Sequence, residues 1–294
     1  MHPSTATQLR PGDHVCWVFD NDNGCLDDIA RLVRSGIEAH HRILCLTQAV
    51  MPVAVAAALE SVDVATGPAL DRGQLRIATA AETYLRHGAF DPGTALAAWR
   101  EGIEQAHHEG YRGLLVIADM MWAARPIFGP DRLARYEAQL SRLCADGYAT
   151  AVCLYDRRVF TGSELHETSK AHLATVPPGG HATFTVRLRI VRTTDPVGIR
   201  LTGEADLATR LAVRAVLDGA LEDLPFGEPV TVDLTELRFA DGATATALVR
   251  LAQALPAGSR LVGASASLTS LLRLVCDGMV PGLDLDGPVL EGAA

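Results

Sequence analysis

Lysine is almost absent from this chain. Of its 26 basic residues only Lys170 is a lysine, and the arginines never gather into a basic run. With a net charge of −9 and the acid spread along its length, the sequence has no electrostatic footprint for nucleic acid. No run of about 18 apolar residues occurs, so a membrane span is not expected. Residues 1–11 hold one arginine and no apolar stretch, unlike a secretory signal. The six cysteines (Cys16, Cys25, Cys45, Cys144, Cys153 and Cys276) include no CxxC pair. They sit mostly in apolar runs such as VCWVF, ILCLT and AVCLY. That is the pattern of small buried hydrophobes in a reducing compartment, not of a disulfide framework. The expectation is a cytoplasmic protein. Its 294 residues, 48% of them hydrophobic, suffice for two domains with a core each.

The first half alternates strand and helix signals. Short apolar runs at Asp13–Phe19, Arg42–Thr47, Gln74–Ala78, Gly113–Ala118 and Thr150–Tyr155 read as buried strands. Helical spacing appears at Leu26–Ala39, Pro52–Glu60, Pro92–Glu109 and Pro130–Asp146, with Asp20 to Gly24 as a polar loop. Buried strands alternating with helices imply a mainly parallel sheet covered on both faces. Ligands in such folds bind beyond the strand ends, which selects Asp20–Gly24, Gln48, Asp119–Trp122 and Asp156–Arg158. A break follows at Thr175-Val-Pro-Pro-Gly-Gly180, where prolines lack donors and glycines are permissive. It divides residues 1–176 from 181–294. The second part reads ββαβαβα: a hairpin from Thr183–Val191 and Val197–Thr202, helices at Asp206–Leu221, Ala243–Gln253 and Ser267–Cys276, and strands at Pro229–Leu234 and Arg260–Val262.

Several residues have chemistry to offer. Asp119, Trp122, Tyr155 and Asp156 would meet at the strand ends as an aromatic wall with a few polar groups, which suits a small-molecule pocket; equally, the rings would cap the core and the carboxylates cap loops. His14 and Cys16 share one face of a strand. With Cys153 and His172 they make a metal or haem site conceivable, but their spacing matches no ligand motif, so a packed strand is the simpler reading. Glu137 sits mid-helix and is placed to pair with Arg157 or Arg158. His40-His41 and His107-His108 fall at helix ends, where the dipole favours them. No nucleophile–base arrangement or paired carboxylates stand out, so no catalytic residue is proposed.

Ile199-Arg-Leu-Thr-Gly-Glu-Ala-Asp-Leu207 and Val232-Asp-Leu-Thr-Glu-Leu-Arg-Phe-Ala-Asp241 resemble the STAS domain of anti-sigma factor antagonists, in order and in spacing. The family's Asp-Ser-Ser-Gly, whose first serine accepts phosphate, is here Asp241-Gly242-Ala243-Thr244. Gly242 has no hydroxyl; Thr244 is an alternative acceptor. The resemblance implies partner docking around Asp241, Gly242 and Thr244, with an anti-sigma factor or related kinase-fold protein as partner, whereas local chemistry alone would make Asp241 a helix cap.

The first half, from about residue 10 to 173, resembles the MEDS domain, the sensory domain of methanogen and methylotroph regulators of the DcmR type. The resemblance rests on Asp13-His-Val-Cys-Trp17, Tyr84-Leu85 with Phe90-Asp91, Asp119-Met-Met-Trp122, Tyr136-Glu137 and Cys153-Leu-Tyr-Asp156. It implies small-molecule sensing. The same segment resembles a degenerate RecA/KaiC fold with Leu114–Asp119 as the Walker B strand. Its loop, Phe19-Asp-Asn-Asp-Asn-Gly-Cys25, has one glycine, no lysine and two aspartates where phosphate would sit, against nucleotide hydrolysis. The expected protein is therefore a two-domain α/β signalling regulator and not an enzyme. Ligand-binding candidates are His14, Cys16, Asp119, Trp122, Tyr155 and Asp156. No cofactor is named and a homo-oligomer stays open. The rivals are a RecA-like nucleotide enzyme and a metal- or haem-dependent redox sensor.

Overall fold

The computed structural model describes residues 9–48, 51–61, 66–124, 130–178, 185–224, 229–255, 259–276 and 283–284. Gly179, Gly180 and the start of the strand expected from Thr183 lie outside them. The first sheet contains β1 (His14–Phe19), β2 (Arg42–Thr47), β3 (Leu75–Thr79), β4 (Leu114–Asp119), β5 (Ala149–Asp156), β6 (Ala174–Val176) and β7 (Thr185–Val186), in the order β3-β2-β4-β5-β1-β6-β7. Every pairing from β3 to β6 is parallel; only β7 runs antiparallel. β4 and β5 are buried at every position, as strands covered on both faces must be. Helices α1 (Asp22–Glu38), α2 (Pro52–Ser61), α3 (Thr66–Asp71), α4 (Pro92–His108), α5 (Pro130–Cys144) and α6 (Gly162–Ser169) intervene, with a 3₁₀ turn at Met121–Ala124.

Three expectations are corrected. The stretch Asp20 to Gly24 is not all loop: α1 begins at Asp22, because the Asn21 side chain accepts from the Gly24 N–H at 2.7 Å and caps the helix. Thr175 and Val176, assigned to the interdomain break, complete β6 against β1. And α6 was not foreseen, although Thr161-Gly-Ser-Glu164 forms a reciprocal capping box at its start.

The second sheet holds β8 (Leu188–Thr194), β9 (Val197–Ala205), β10 (Val230–Asp233), β11 (Leu237–Ala240), β12 (Ser259–Val262) and β13 (Leu283–Asp284), ordered β11-β9-β10-β12-β13 with β8 on β9. Helices α7 (Arg210–Asp223), α8 (Gly242–Ala254) and α9 (Ala266–Val275) cover it. β11 and β13 add to the expected ββαβαβα order. Gly203 has φ +114, and a Cβ there would meet the Arg187 carbonyl oxygen at 2.2 Å; only glycine permits that approach.

The two sheets are not joined by a free linker. The segment expected as one strand from Thr183 to Val191 divides at Arg187: β7 extends the first sheet and β8 begins the second. The Arg187 and Leu188 N–H groups both donate to the Leu173 carbonyl at 3.2 Å. Leu173 and Ala145, from the first half, are buried in the second domain's apolar core. Above this seam α5 packs on α7. Arg142 donates from Nε to Asp223 Oδ2 at 2.7 Å and from Nη2 to Asp223 Oδ1 at 2.8 Å, and reaches Glu222 at 2.7 Å. Arg192 bonds Asp146 and Asp223 as well.

Gly219 makes room for Arg142: a Cβ on this α7 residue would lie 2.2 Å from Arg142 Nε. Alanine is better than glycine in a helix interior by about 1 kcal/mol. Gly219→Ala is nevertheless expected to lower the melting temperature, since the guanidinium must leave its carboxylates. A rise on thermal unfolding would show that the seam tolerates the shift.

Candidate functional site

The strand-end residues divide among separate tasks. Asp119 is buried; its Oδ2 accepts from the Gln48 N–H and its Oδ1 from the Met121 N–H, both at 3.0 Å. Asp156, also buried, accepts the Arg158 N–H at 2.8 Å and its guanidinium, which reaches on to Asp22. Burial would raise the Asp156 carboxyl, but the Arg158 bonds outweigh it and hold the group below its ordinary value. Trp122 is fully buried, stacked on Tyr84 at 4.7 Å and tilted to Phe90 at 4.6 Å. Tyr155 points elsewhere. Asp20, before α1, and Asp22, its first residue, each lie beside an arginine, and the helix N-terminus is capped from within by Asn21.

The densest chemistry lies beneath the sheet, not at its edge. His14 (β1), Cys153 (β5), Glu137 (α5) and His172 (the turn from α6 to β6) converge with one donor atom each, all within 4.8 Å of one another and all buried. Glu137 Oε2 stands 3.1 Å from His14 Nε2 and 3.4 Å from both His172 Nε2 and Cys153 Sγ. Cys153 Sγ is 3.4 Å from His14 Nε2. The Tyr155 hydroxyl donates to Glu137 Oε1 at 2.7 Å. So Glu137 does not pair with Arg157 or Arg158: α5 turns it inward onto the sheet. Cys16, two residues along β1, lies in register with Cys153 but is not one of the four.

The outer bonds fix both imidazole tautomers. Ser141 Oγ gives its one proton to the Ala171 carbonyl at 2.8 Å. Its 2.8 Å contact with His14 Nδ1 must therefore be donated by the ring N–H. His172 Nδ1 donates to the Thr168 carbonyl at 2.9 Å. Both Nε2 lone pairs consequently face the centre. Desolvation holds His14 and His172 down to about 3, so both rings are neutral at pH 7. Burial pushes Glu137 up, against the nearby His172 and the Tyr155 and Cys153 hydrogen bonds.

Two other features complete the surface. A cleft of about 470 Å³ opens between α4, the turn around residues 82–91 and the β2–β4 face, lined by Leu46, Tyr84 and Trp99, with Arg42, Arg76 and Arg86 balanced by Glu82, Asp91 and Glu101. In the second domain Asp241 caps α8, accepting the Thr244 N–H at 2.8 Å, the Thr244 hydroxyl at 2.9 Å and Arg210 Nη2 at 2.9 Å. Thr244 is buried, its hydroxyl facing Asp241. Gly242 is exposed with nothing within 4 Å of a would-be Cβ. Leu207 and Phe239, each about half exposed, lie nearby.

The model for the MEDS family, described as the methanogen/methylotroph, DcmR sensory domain, matches residues 13–173, and a second, described as the Mlab, STAS domain, matches residues 188–276. The chain belongs to the MEDS family, with a STAS domain following, and such a pairing is that of a signalling or regulatory protein. Among solved structures it is similar to a KaiC-like protein from Pyrococcus horikoshii OT3 (9% identity, 65% of this chain and 78% of that one, TM-score 0.43). It is also similar to the flagellar accessory protein FlaH from Methanocaldococcus jannaschii (10% identity, 63% and 87%, TM-score 0.41). No match was found among curated proteins. Among the described residues no helix is long and apolar enough to cross a membrane.

Proposed function

We propose that the chain is a non-enzymatic regulator in which a small molecule sensed by the MEDS domain alters how the STAS domain engages an anti-sigma factor or related kinase-fold protein. One observation carries the reading: the elements that build the buried quartet are those that hold the second domain. Asp13, beside His14, accepts from Arg189 of β8 at 2.8 Å and 3.0 Å. α5 supplies Glu137 on one side and Arg142 on the other. The Lys170 carbonyl, two residues before His172, accepts the Leu211 and Ala212 N–H groups of α7 at 3.2 Å and 3.3 Å. A shift of α5 or the α6–β6 turn is thereby transmitted to α7 by contact. The cleft is of a size that suits small-molecule ligands, about 300–1,000 Å³, and its lining of three arginines, three carboxylates and apolar side chains fits a polar organic molecule.

Docking belongs at the start of α8. Asp241 is ionised there: burial opposes its charge, but Arg210 and the Thr244 N–H more than offset it and hold the carboxyl low. Without an acceptor hydroxyl at Gly242, control passes to the sensory half. The carboxylates of Asp20 and Asp22, at the entry to α1, oppose nucleotide binding.

The test measures, by calorimetry, binding of the full chain to a kinase-fold anti-sigma factor from the same genome. Asp241→Ala is expected to weaken binding roughly tenfold. Tyr155→Phe, which removes one hydrogen bond to Glu137, is expected to change the affinity without touching the partner. Binding indifferent to Asp241→Ala would sink the docking site; indifference to Tyr155→Phe would sink the coupling. A melting-temperature rise with Mg–ATP would favour the nucleotide enzyme instead.

A further inference from the structure

We propose that His14, Glu137, Cys153 and His172 bind one divalent transition-metal ion of the zinc class. The geometry is close to that of a site. Metal–ligand lengths of about 2.0–2.3 Å at tetrahedral angles set donor atoms roughly 3.3–3.6 Å apart. Four of the quartet's six edges are 3.1, 3.4, 3.4 and 3.4 Å, and all six lie within 4.8 Å, so His172 has to draw in only slightly to complete the tetrahedron. The donors are two imidazole nitrogens, one thiolate sulfur and one carboxylate oxygen, all ordinary zinc ligands.

Hydrogen-bond counting points the same way. His14 Nδ1 and His172 Nδ1 spend their protons outward, and Tyr155 occupies the other carboxylate oxygen, Oε1. This is the outer arrangement that orients metal-binding imidazoles and carboxylates. What remains at the centre is two lone pairs, Oε2 and a thiol that can donate only one hydrogen. His172 Nε2 is wholly buried and makes no hydrogen bond, although Oε2 is 3.4 Å away. A buried polar atom is rarely left so. A cation supplies the partner that His172 Nε2 lacks and gives all four donors one common centre.

Charge closes as well. Binding displaces the Cys153 thiol proton, and any proton on Oε2, to solvent. A divalent ion with one thiolate, one carboxylate and two neutral imidazoles sums to zero, as a buried low-dielectric site requires. The four ligands come from four separate elements, so the ion is taken up as the chain folds.

The assignment does not depend on the signalling reading, and its test reads metal alone. The full chain is unfolded with a chelator and refolded with one equivalent of Co²⁺ or Zn²⁺. The expected result is one ion per chain and, with cobalt, a sulfur-to-metal charge-transfer band with the intense d–d bands of tetrahedral coordination. Cys153→Ala should abolish the charge-transfer band and Cys16→Ala should keep it. Ser141→Ala, which frees the His14 tautomer, should weaken the affinity about 10- to 100-fold. Should Cys153→Ala not fold, X-ray absorption of the zinc-loaded wild type decides: one sulfur at about 2.3 Å with three nitrogen or oxygen neighbours at about 2.0–2.2 Å is expected. A wild-type chain that refolds without retaining metal, a band that survives Cys153→Ala, or a first shell with no sulfur or with two would each overturn the site.

Discussion

Trp122→Ala should cost about 3–5 kcal/mol, the usual range for emptying an aromatic core position, and lower the melting temperature by on the order of 10 °C. The size follows from what surrounds the ring. Trp122 is fully buried and contacts Tyr84 and Phe90, which in turn lie edge-on to Tyr136 at 6.2 Å and 5.1 Å. Tyr136 is itself buried and accepts the Trp99 indole N–H at 3.1 Å. Four rings from three segments, the turn that carries Tyr84 and Phe90, the 3₁₀ turn and α5, therefore pack on one another, and removing the central indole leaves a space that the others fill only by moving. Calorimetric or circular-dichroism melting checks this. A loss below about 1 kcal/mol would show that Trp122 faces a space able to collapse, and would return it to the ligand wall.

Arg142→Ala should cost about 1.5–3 kcal/mol, the range for hydrogen bonds to charged groups. The loss falls short of that for an isolated buried pair because Arg192 still contacts Asp223, and because Glu222 is largely exposed and its pairing is worth little. The same change should loosen the coupling between the unfolding of the two domains, since Arg142 is one of the polar contacts that join them. A pH series adds a sharper check. Burial raises the Asp223 carboxyl, but the Arg142 bonds and the nearby arginine charges outweigh it and hold the group below its ordinary value. A carboxylate depressed in the folded state contributes stability above its unfolded value, about 3.9, and that stability is lost as pH falls through the lower folded value. The difference between wild type and Arg142→Ala should accordingly be constant near neutrality and narrow below about pH 4. A difference that does not change with pH would mean that Arg142 acts through packing.

The strands and long helices were legible because their apolar runs and 3.6-residue spacing are local properties. The start of α1 was not, since Asp, Asn and Gly signal a loop unless one notices that Asn21 is placed to cap. The site was half legible. His14, Cys153 and His172 stood out as residues with chemistry, but Cys16 was joined to them and Glu137 was given to the arginines. Side-chain alternation tells which face of β1 His14 and Cys16 share. It does not tell at which level α5 crosses that face, and that crossing selects His14 and brings Glu137 inward. Likewise Asp119 and Trp122 follow the same strand but diverge, one to cap a loop and one into the core, a choice made by the turn at Met121–Ala124.

The division of one segment between two sheets bears on how such modules can be recombined. A chimera spliced at Gly180, where composition suggests a seam, would carry β7 away from its neighbour β6 and leave that edge of the sensor bare. It would also strip Leu173 of the two amide donors that close its carbonyl. A junction between Arg187 and Leu188 keeps the sensor's sheet whole. The Arg187 amide then stays to close the Leu173 carbonyl, and the incoming module must bring its own small residue opposite Arg142, so output domains lacking a counterpart of Gly219 would not seat on this sensor without moving that guanidinium.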